Sequence, residues 1–170
     1  GDKVIVPNFT FIATANAVEM VGATPLFVDI DINNLQIDIK KCHELLSKRP
    51  KAIMPVPLYG LTPNLDEIKS FAKKNGLLMV EDSAQALGVE WEGKPCGSFG
   101  DAACFSFFAD KTITTGEGGF VATNNEETYN KLLFLRNQGR KNRGSFIHPE
   151  IGYNFRMTDM QTSLGLSQLK

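Results

Sequence analysis

Histidine, cysteine and tryptophan are scarce: 170 residues carry two, three and one of them. The histidines, His43 and His148, lie far apart in the chain, so a histidine-built metal centre is not expected. Cys42, Cys96 and Cys104 are odd in number and have no CxxC spacing, which reads as reduced thiols in a cytoplasmic protein. Neither sign of charge dominates. Lys and Arg total 18 against 19 Asp and Glu, so no electrostatic footprint for nucleic acid or an anionic membrane is present. No apolar run reaches the length of a membrane span. The opening GDKVIVPNFT lacks the basic and apolar regions of a signal peptide. Internal repeats and low-complexity tracts are missing too, and no linker is rich enough in Pro, Gly or Ser to divide the chain.

What remains is an ordinary globular composition, 42% apolar and 22% charged, long enough for one domain with a core. The chain opens directly on a strand-like KVIVP. It stops inside an apolar-periodic stretch, MQTSLGLSQLK, without a glycine or polar cap. Both ends read as cuts in a longer protein.

Short β runs alternate with helical stretches. KVIVP, TPLFVDI, KAIMPV, LLMVED, AACFSFF and GGFVATN read as strands. FIATANAVEMVG reads as a helix stopped by Gly22, and QIDIKKCHELLSKRP as an amphipathic helix ending at Pro50. NLDEIKSFAKKNG has Gly76 in a C-cap position. VEWEGKPCGSFGD reads as a hairpin turning at Glu-Gly, NEETYNKLLFLRNQG as a helix opened by Asn124 or Asn125, and a last helix starts near Thr158. The alternation predicts an α/β fold with a mostly parallel sheet and helices on both faces. Ligands of such sheets sit outside the carboxyl ends of the strands.

Three strand ends carry polar groups. VED places Glu81 and Asp82 at one, FSFFADK places Ser106 within and Lys111 beyond a second, and VIVPNFTF leads into Thr10 and Phe11. An acid and a lysine at strand ends form an ordinary ion pair or two solvated loop residues. They also suit a cofactor that has an electrophilic carbon and a basic nitrogen. Pyridoxal 5′-phosphate (PLP) is one: its aldehyde needs a lysine amine, and its pyridine nitrogen needs a carboxylate. Walls of Phe105, Phe107 and Phe108 around Lys111 are expected to desolvate its amine. TTGEGG matches neither a Walker loop nor GxGxxG, which disfavours nucleotide hydrolysis and NAD binding.

VEDSAQALG, GSFGDAACFSFFADKTITTGEGG and GYNFRMTDMQTSLGLSQL, in that order, resemble the DegT/DnrJ-type sugar-nucleotide aminotransferases, and the likeness runs from GDKVIVP to QLK. These are PLP enzymes of the aspartate-aminotransferase fold, fold type I. The resemblance implies that Lys111 carries the Schiff base and moves the proton, that Asp82 pairs with the pyridine nitrogen, and that Gln85 and Phe11 lie on the two ring faces. It implies a phosphate contact from Ser106. Asn154 and Arg156 are implied to reach the phosphate of the neighbouring subunit's cofactor in a homodimer with shared active sites. Residues 1–170 correspond to the central part of the PLP-binding large domain, with the N-terminal segment and the C-terminal small domain outside the chain.

KTITTGEGG followed by HPEIGYNFRMTD looks most like the GDP-perosamine synthase branch. That branch aminates a nucleotide-linked 4-keto-6-deoxy sugar with L-glutamate as donor, and His148 is then a substrate-binding candidate. Relatives with histidine in place of the lysine are dehydratases, and Lys111 argues against that branch. Two alternatives stay open: a regulatory or sensory protein of the same fold that does not transaminate, and a PLP enzyme acting on another substrate.

Overall fold

The computed structural model describes residues 1–142, 144 and 146–169. It divides into two compact units. The first is Gly1–Ser106 with Phe120–Ala122, the second Phe107–Gly119 with Thr123–Lys170.

The first unit is built on β1 (Lys3–Pro7), β2 (Thr24–Val28), β5 (Ala52–Ile53), β6 (Leu78–Asp82), β9 (Ala102–Ser106) and β10 (Gly119–Ala122), in the spatial order β10-β9-β6-β5-β1-β2. The pairs β1/β2, β1/β5, β5/β6 and β6/β9 are all parallel. Their registers place Ile5 beside Leu26 and Ile53, Ile53 beside Met79, and Asp82 beside Cys104. Two short antiparallel pairs decorate the sheet: β3 (Ile30–Asp31) with β4 (Gln36–Ile37), and β7 (Glu90–Trp91) with β8 (Lys94–Pro95). The second turns at Glu92 (φ 48°) and Gly93 (φ 73°), as the Glu-Gly pair predicts.

Strand side chains alternate, so the sheet has two differently covered faces. Ile5, Ile53 and Met79 join α2 (Ile39–Leu45) and α3 (Leu65–Asn75) in one core, through Cys42, Leu65, Ile68 and Phe71. Val6 faces the other way and packs with Val4, Met54 and, from α1 (Ile12–Met20), Val18. Helices therefore lie on both faces of this sheet, and the α/β expectation holds.

Local chemistry sets the boundaries. Asn64 caps α3 by accepting from the Glu67 N–H at 3.0 Å; Asp66 and Glu67 fill its first turn, Lys73 and Lys74 its last, and Gly76 ends it in the left-handed conformation. The helix expected from Gln36 starts only at Ile39, with Asp38 as N-cap. Before it, Asp31 Oδ1 accepts from Asn33 N–H and Asn34 Oδ1 from Gln36 N–H, and these side-chain turns deliver Gln36 and Ile37 into a strand pair instead. β5 is short because Pro55 and Pro57 follow it without N–H donors.

The second unit contains α4 (Glu126–Leu135), capped by Asn125, and α5 (Asp159–Ser167). Thr158 and Gln161 form a capping box at the start of α5. The chain after α4 is tied to residues 153–155: Tyr153 N–H donates to Leu135 O, Gln138 N–H to Tyr153 O, and Phe155 N–H to Arg136 O. Among the described residues no helix is long and apolar enough to cross a membrane.

Candidate active site

The parallel strands of the first unit deliver several of the expected residues to their carboxyl ends. Asp82 ends β6, Ser106 ends β9, and the segment after β1 leads through Thr10 and Phe11 into α1. Asp82 is paired in register with Cys104, and Ser106 lies two residues further along β9. By strand alternation Asp82, Cys104 and Ser106 share the face of the sheet that carries α1.

Asp82 is anchored at several points. Its N–H donates to Pro55 O at 3.0 Å. One carboxylate oxygen, Oδ2, accepts from Thr14 Oγ1 at 2.7 Å, and the other from Ala84 N–H at 3.3 Å. Gln85 accepts the Tyr59 N–H on its Oε1 at 3.0 Å, which fixes the plane of its amide. Tyr59 itself adopts φ 55°, unusual for a bulky residue, and Gly60 follows at φ 74°. Phe11 is the N-cap residue of α1, extended, without a side-chain capping bond, and 72% exposed.

Glu81, the other acid of the VED motif, plays a structural part. It is fully buried on the opposite face and accepts from Gly97, Phe99 and Gly100 N–H at 2.7–2.8 Å. Phe105 points to the same side, its ring stacked on Phe120 with centroids 4.4 Å apart. The expectation that Phe105 walls the site is therefore corrected: two-residue alternation along β9 sends it away from the face of Asp82 and Ser106.

Lys111 lies in the second unit. Its N–H donates to Phe108 O at 3.1 Å, and its Nζ stands 3.5 Å from Asp110 Oδ1 with the side chain largely covered, 19% exposed. The TTGEGG turn beyond it is pinned by α5. Gln168 accepts Thr114 N–H at 3.0 Å and donates to Thr114 O at 2.7 Å, imitating a backbone pairing, and Gln161 Nε2 donates to Glu117 O at 2.8 Å. Thr115 N–H and Thr114 Oγ1 both donate to Phe107 O. Gly165 belongs where it is, since a Cβ there would stand 3.0 Å from Thr115 Cγ2.

The same unit brings Asn154 and Arg156 together: Arg156 Nε donates to Asn154 Oδ1 at 3.1 Å and its Nη1 to Asn137 Oδ1 at 3.0 Å. Asn154 also forms an isolated bridge with Asn137. His148 Nδ1 lies 2.7 Å from Gln138 O on an exposed loop. The parts played by Thr14, Tyr59, Gln161 and Gln168 emerge only with the fold. The i,i+4 spacing of the Thr10 and Thr14 hydroxyls at a helix start is the local signal that the sequence carries.

The whole chain, residues 1–170, matches the DegT/DnrJ/EryC1/StrS aminotransferase family. It is similar to GDP-perosamine synthase of Caulobacter vibrioides, 46% identical over all of this chain and 46% of that protein. It is similar also to UDP-N-acetyl-3-dehydro-alpha-D-glucosamine 3-aminotransferase of Acidithiobacillus ferrooxidans, 48% identical over 95% of this chain and 43% of that protein. Among solved structures it resembles Helicobacter pylori PseC, an aminotransferase involved in the biosynthesis of pseudoaminic acid, with a TM-score of 0.92 and 38% identity over 99% of this chain and 46% of that one. The chain spans about half the length of the curated relatives it matches. With its parallel sheet and the polar groups at its carboxyl ends, the chain belongs to the DegT/DnrJ/EryC1/StrS aminotransferase family.

Proposed function

We propose that this chain is the central part of the large domain of a PLP-dependent aminotransferase. The enzyme moves an amino group from L-glutamate to a nucleotide-linked 4-keto-6-deoxy sugar, as a cytoplasmic homodimer with shared active sites. The observation that carries the reading is the anchored carboxylate of Asp82 at the end of a central parallel strand, on the same sheet face as Ser106.

The residues present fit the cofactor by their chemistry. Asp82 offers a carboxylate of fixed orientation to a protonated ring nitrogen. Ser106 offers a hydroxyl to a phosphate. Phe11, largely exposed, and Gln85, with its amide plane held by Tyr59, offer flat groups for the two ring faces. Lys111 supplies the only kind of side chain that forms a Schiff base. Asn154 and Arg156 are polar groups for the phosphate in the neighbouring subunit, and His148 is a group for the sugar nucleotide. When bound, the cofactor supplies the electron sink that a C–H bond next to nitrogen needs in order to break. Lys111 Nζ then takes the α-proton of the amino donor in one half-reaction and delivers a proton to the sugar carbon in the other. Asp82 holds its orientation throughout, because Thr14 and the Ala84 N–H bind both of its oxygens.

Similarity to GDP-perosamine synthase supports a GDP-linked acceptor. Similarity to the UDP-sugar 3-aminotransferase supports a second reading, amination at carbon 3 of a UDP-linked 3-keto sugar. The three cysteines are free among the described residues, in keeping with a reducing compartment.

The test is an absorbance scan of the full-length protein with PLP, before and after L-glutamate, then borohydride reduction and peptide mapping. A visible band that glutamate bleaches, with the reduced adduct on Lys111, supports the proposal. No band rejects PLP, and a band indifferent to glutamate rejects the donor. Product analysis with GDP-linked 4-keto and UDP-linked 3-keto sugars then separates the two acceptors.

A further inference from the structure

Thr14 sits in the first turn of α1 and is buried, 2% exposed. Its Oγ1 donates to Asp82 Oδ2 at 2.7 Å and lies 2.9 Å from Thr10 Oγ1. A hydroxyl has one proton to give, and a carboxylate only accepts. The proton of Thr14 is committed to Asp82, so the proton between the two threonines belongs to Thr10. The chain of bonds runs one way: Thr10 to Thr14 to Asp82. Such a chain strengthens its own links when it ends on an anion.

The helix supplies a second reason for this pairing. The first turn of α1 contains no acidic residue, and its N-cap, Phe11, makes no side-chain bond. Asp82, reaching it from β6, is the negative group that this end of the helix otherwise lacks. On the sheet side the neighbouring titratable group is Cys104, its register partner.

We infer that Thr14 is a positioning residue for Asp82, supported by Thr10, and that it sets the angle at which the carboxylate meets the ring nitrogen of the cofactor. This rests on the proposed pairing of Asp82 with that nitrogen. A purely structural link between α1 and the sheet predicts something else: loss of the hydroxyl lowers stability and leaves the cofactor's ring nitrogen unchanged.

The experiment uses full-length protein carrying Thr14→Val, Thr14→Ser, Thr10→Val or Asp82→Asn. PLP affinity is measured by equilibrium titration. The protonation of the ring nitrogen is read by NMR with ¹⁵N-labelled PLP, and melting of the cofactor-free form is recorded alongside. Thr14→Val is expected to weaken PLP about tenfold, the scale of one hydrogen bond to a charged group, and to move the ring-nitrogen signal. Thr14→Ser restores both, and Thr10→Val weakens binding roughly threefold, the scale of a neutral hydrogen bond. A Thr14→Val protein with wild-type affinity and ring-nitrogen signal overturns the inference. Should that variant fail to fold, Thr10→Val decides: unchanged affinity and signal overturn it. Asp82→Asn separates the two levels. If Asp82→Asn moves the signal and Thr14→Val does not, only the positioning role falls. If Asp82→Asn leaves it untouched, the cofactor pairing falls as well.

Discussion

Glu81 and Asp82 are adjacent in β6 and serve opposite faces of the sheet: Glu81 binds three backbone N–H groups of the Gly97–Gly100 turn, and Asp82 receives the Thr14 hydroxyl. Exchanging each for its amide therefore gives different results. Glu81→Gln places an NH₂ group against N–H donors in a fully buried site and is expected to cost about 3 kcal/mol of stability in urea unfolding. Asp82→Asn keeps the fold and lowers turnover by at least about a hundredfold, the usual effect of removing a charge-stabilising group from an active site. Equal stability losses in the two variants would contradict this division.

Lys111→Ala is expected to abolish transamination in the full-length enzyme, and Lys111→Arg to do the same, because a guanidinium does not give up its proton. The folded state loses little, since the ion-pair partner of the amine among the described residues is the exposed Asp110 at 3.5 Å. Turnover assays paired with thermal melting check both statements. Normal turnover in Lys111→Ala removes the lysine from the mechanism.

Two glycines make a contrasting pair. A Cβ on Gly100 would stand 2.5 Å from Met79 O, which is backbone and cannot swing away. Gly100→Ala should cost about 3 kcal/mol, the upper range for overpacking. A Cβ on Gly93 meets nothing within 4 Å, yet φ there is 73°. Gly93→Ala should cost only about 1 kcal/mol, the penalty of a left-handed conformation. Chemical denaturation of both variants tests the ranking.

Burial pushes the Cys42 thiol up to about 12 and the Cys96 thiol up to about 11, with the charges of Asp38 and Glu81 acting in the same direction. Both values lie above the ordinary 9.0, so the native state binds these protons more tightly than the unfolded chain. Their contribution to stability is complete below about pH 9 and is lost as pH rises toward 11–12. Urea midpoints from pH 7 to 10.5 should fall at the alkaline end. At pH 8 iodoacetamide should spare Cys42 and Cys96 in native protein and label both in urea.

Much of this architecture is legible without coordinates. The α3 boundaries follow from Asn64 and Gly76, and the β7–β8 turn follows from Glu92 and Gly93, because caps and turns are decided by residues within one turn of each other. The start of α2 is not legible from its amphipathic pattern, because the Asx turns at Asp31 and Asn34 outweigh it. The aromatic run around Lys111 hides the side of Phe105, which counting by twos from Asp82's partner Cys104 sends to the other face. For Glu81, Thr14 and Gln168 no local pattern names the partner, not even the i,i+4 spacing of Thr10 and Thr14. Their partners lie 16–19, 68 and 54 residues away, and a single chain does not announce which distant backbone group a side chain will meet.

The 68-position separation of Thr14 and Asp82 also sets an order of events on the ribosome. At about 5–20 residues per second, α1 emerges roughly 3 to 14 seconds before its carboxylate partner exists. During that interval the hydroxyls of Thr10 and Thr14 have each other, the local backbone and water to bind, and no carboxylate from β6. β1, α1 and β2 are all synthesised before β6, which slides in later beside β5. A nascent chain stalled before Asp82 therefore holds β1, β2, β5 and the Thr10–Thr14 pair without the carboxylate that the pair serves.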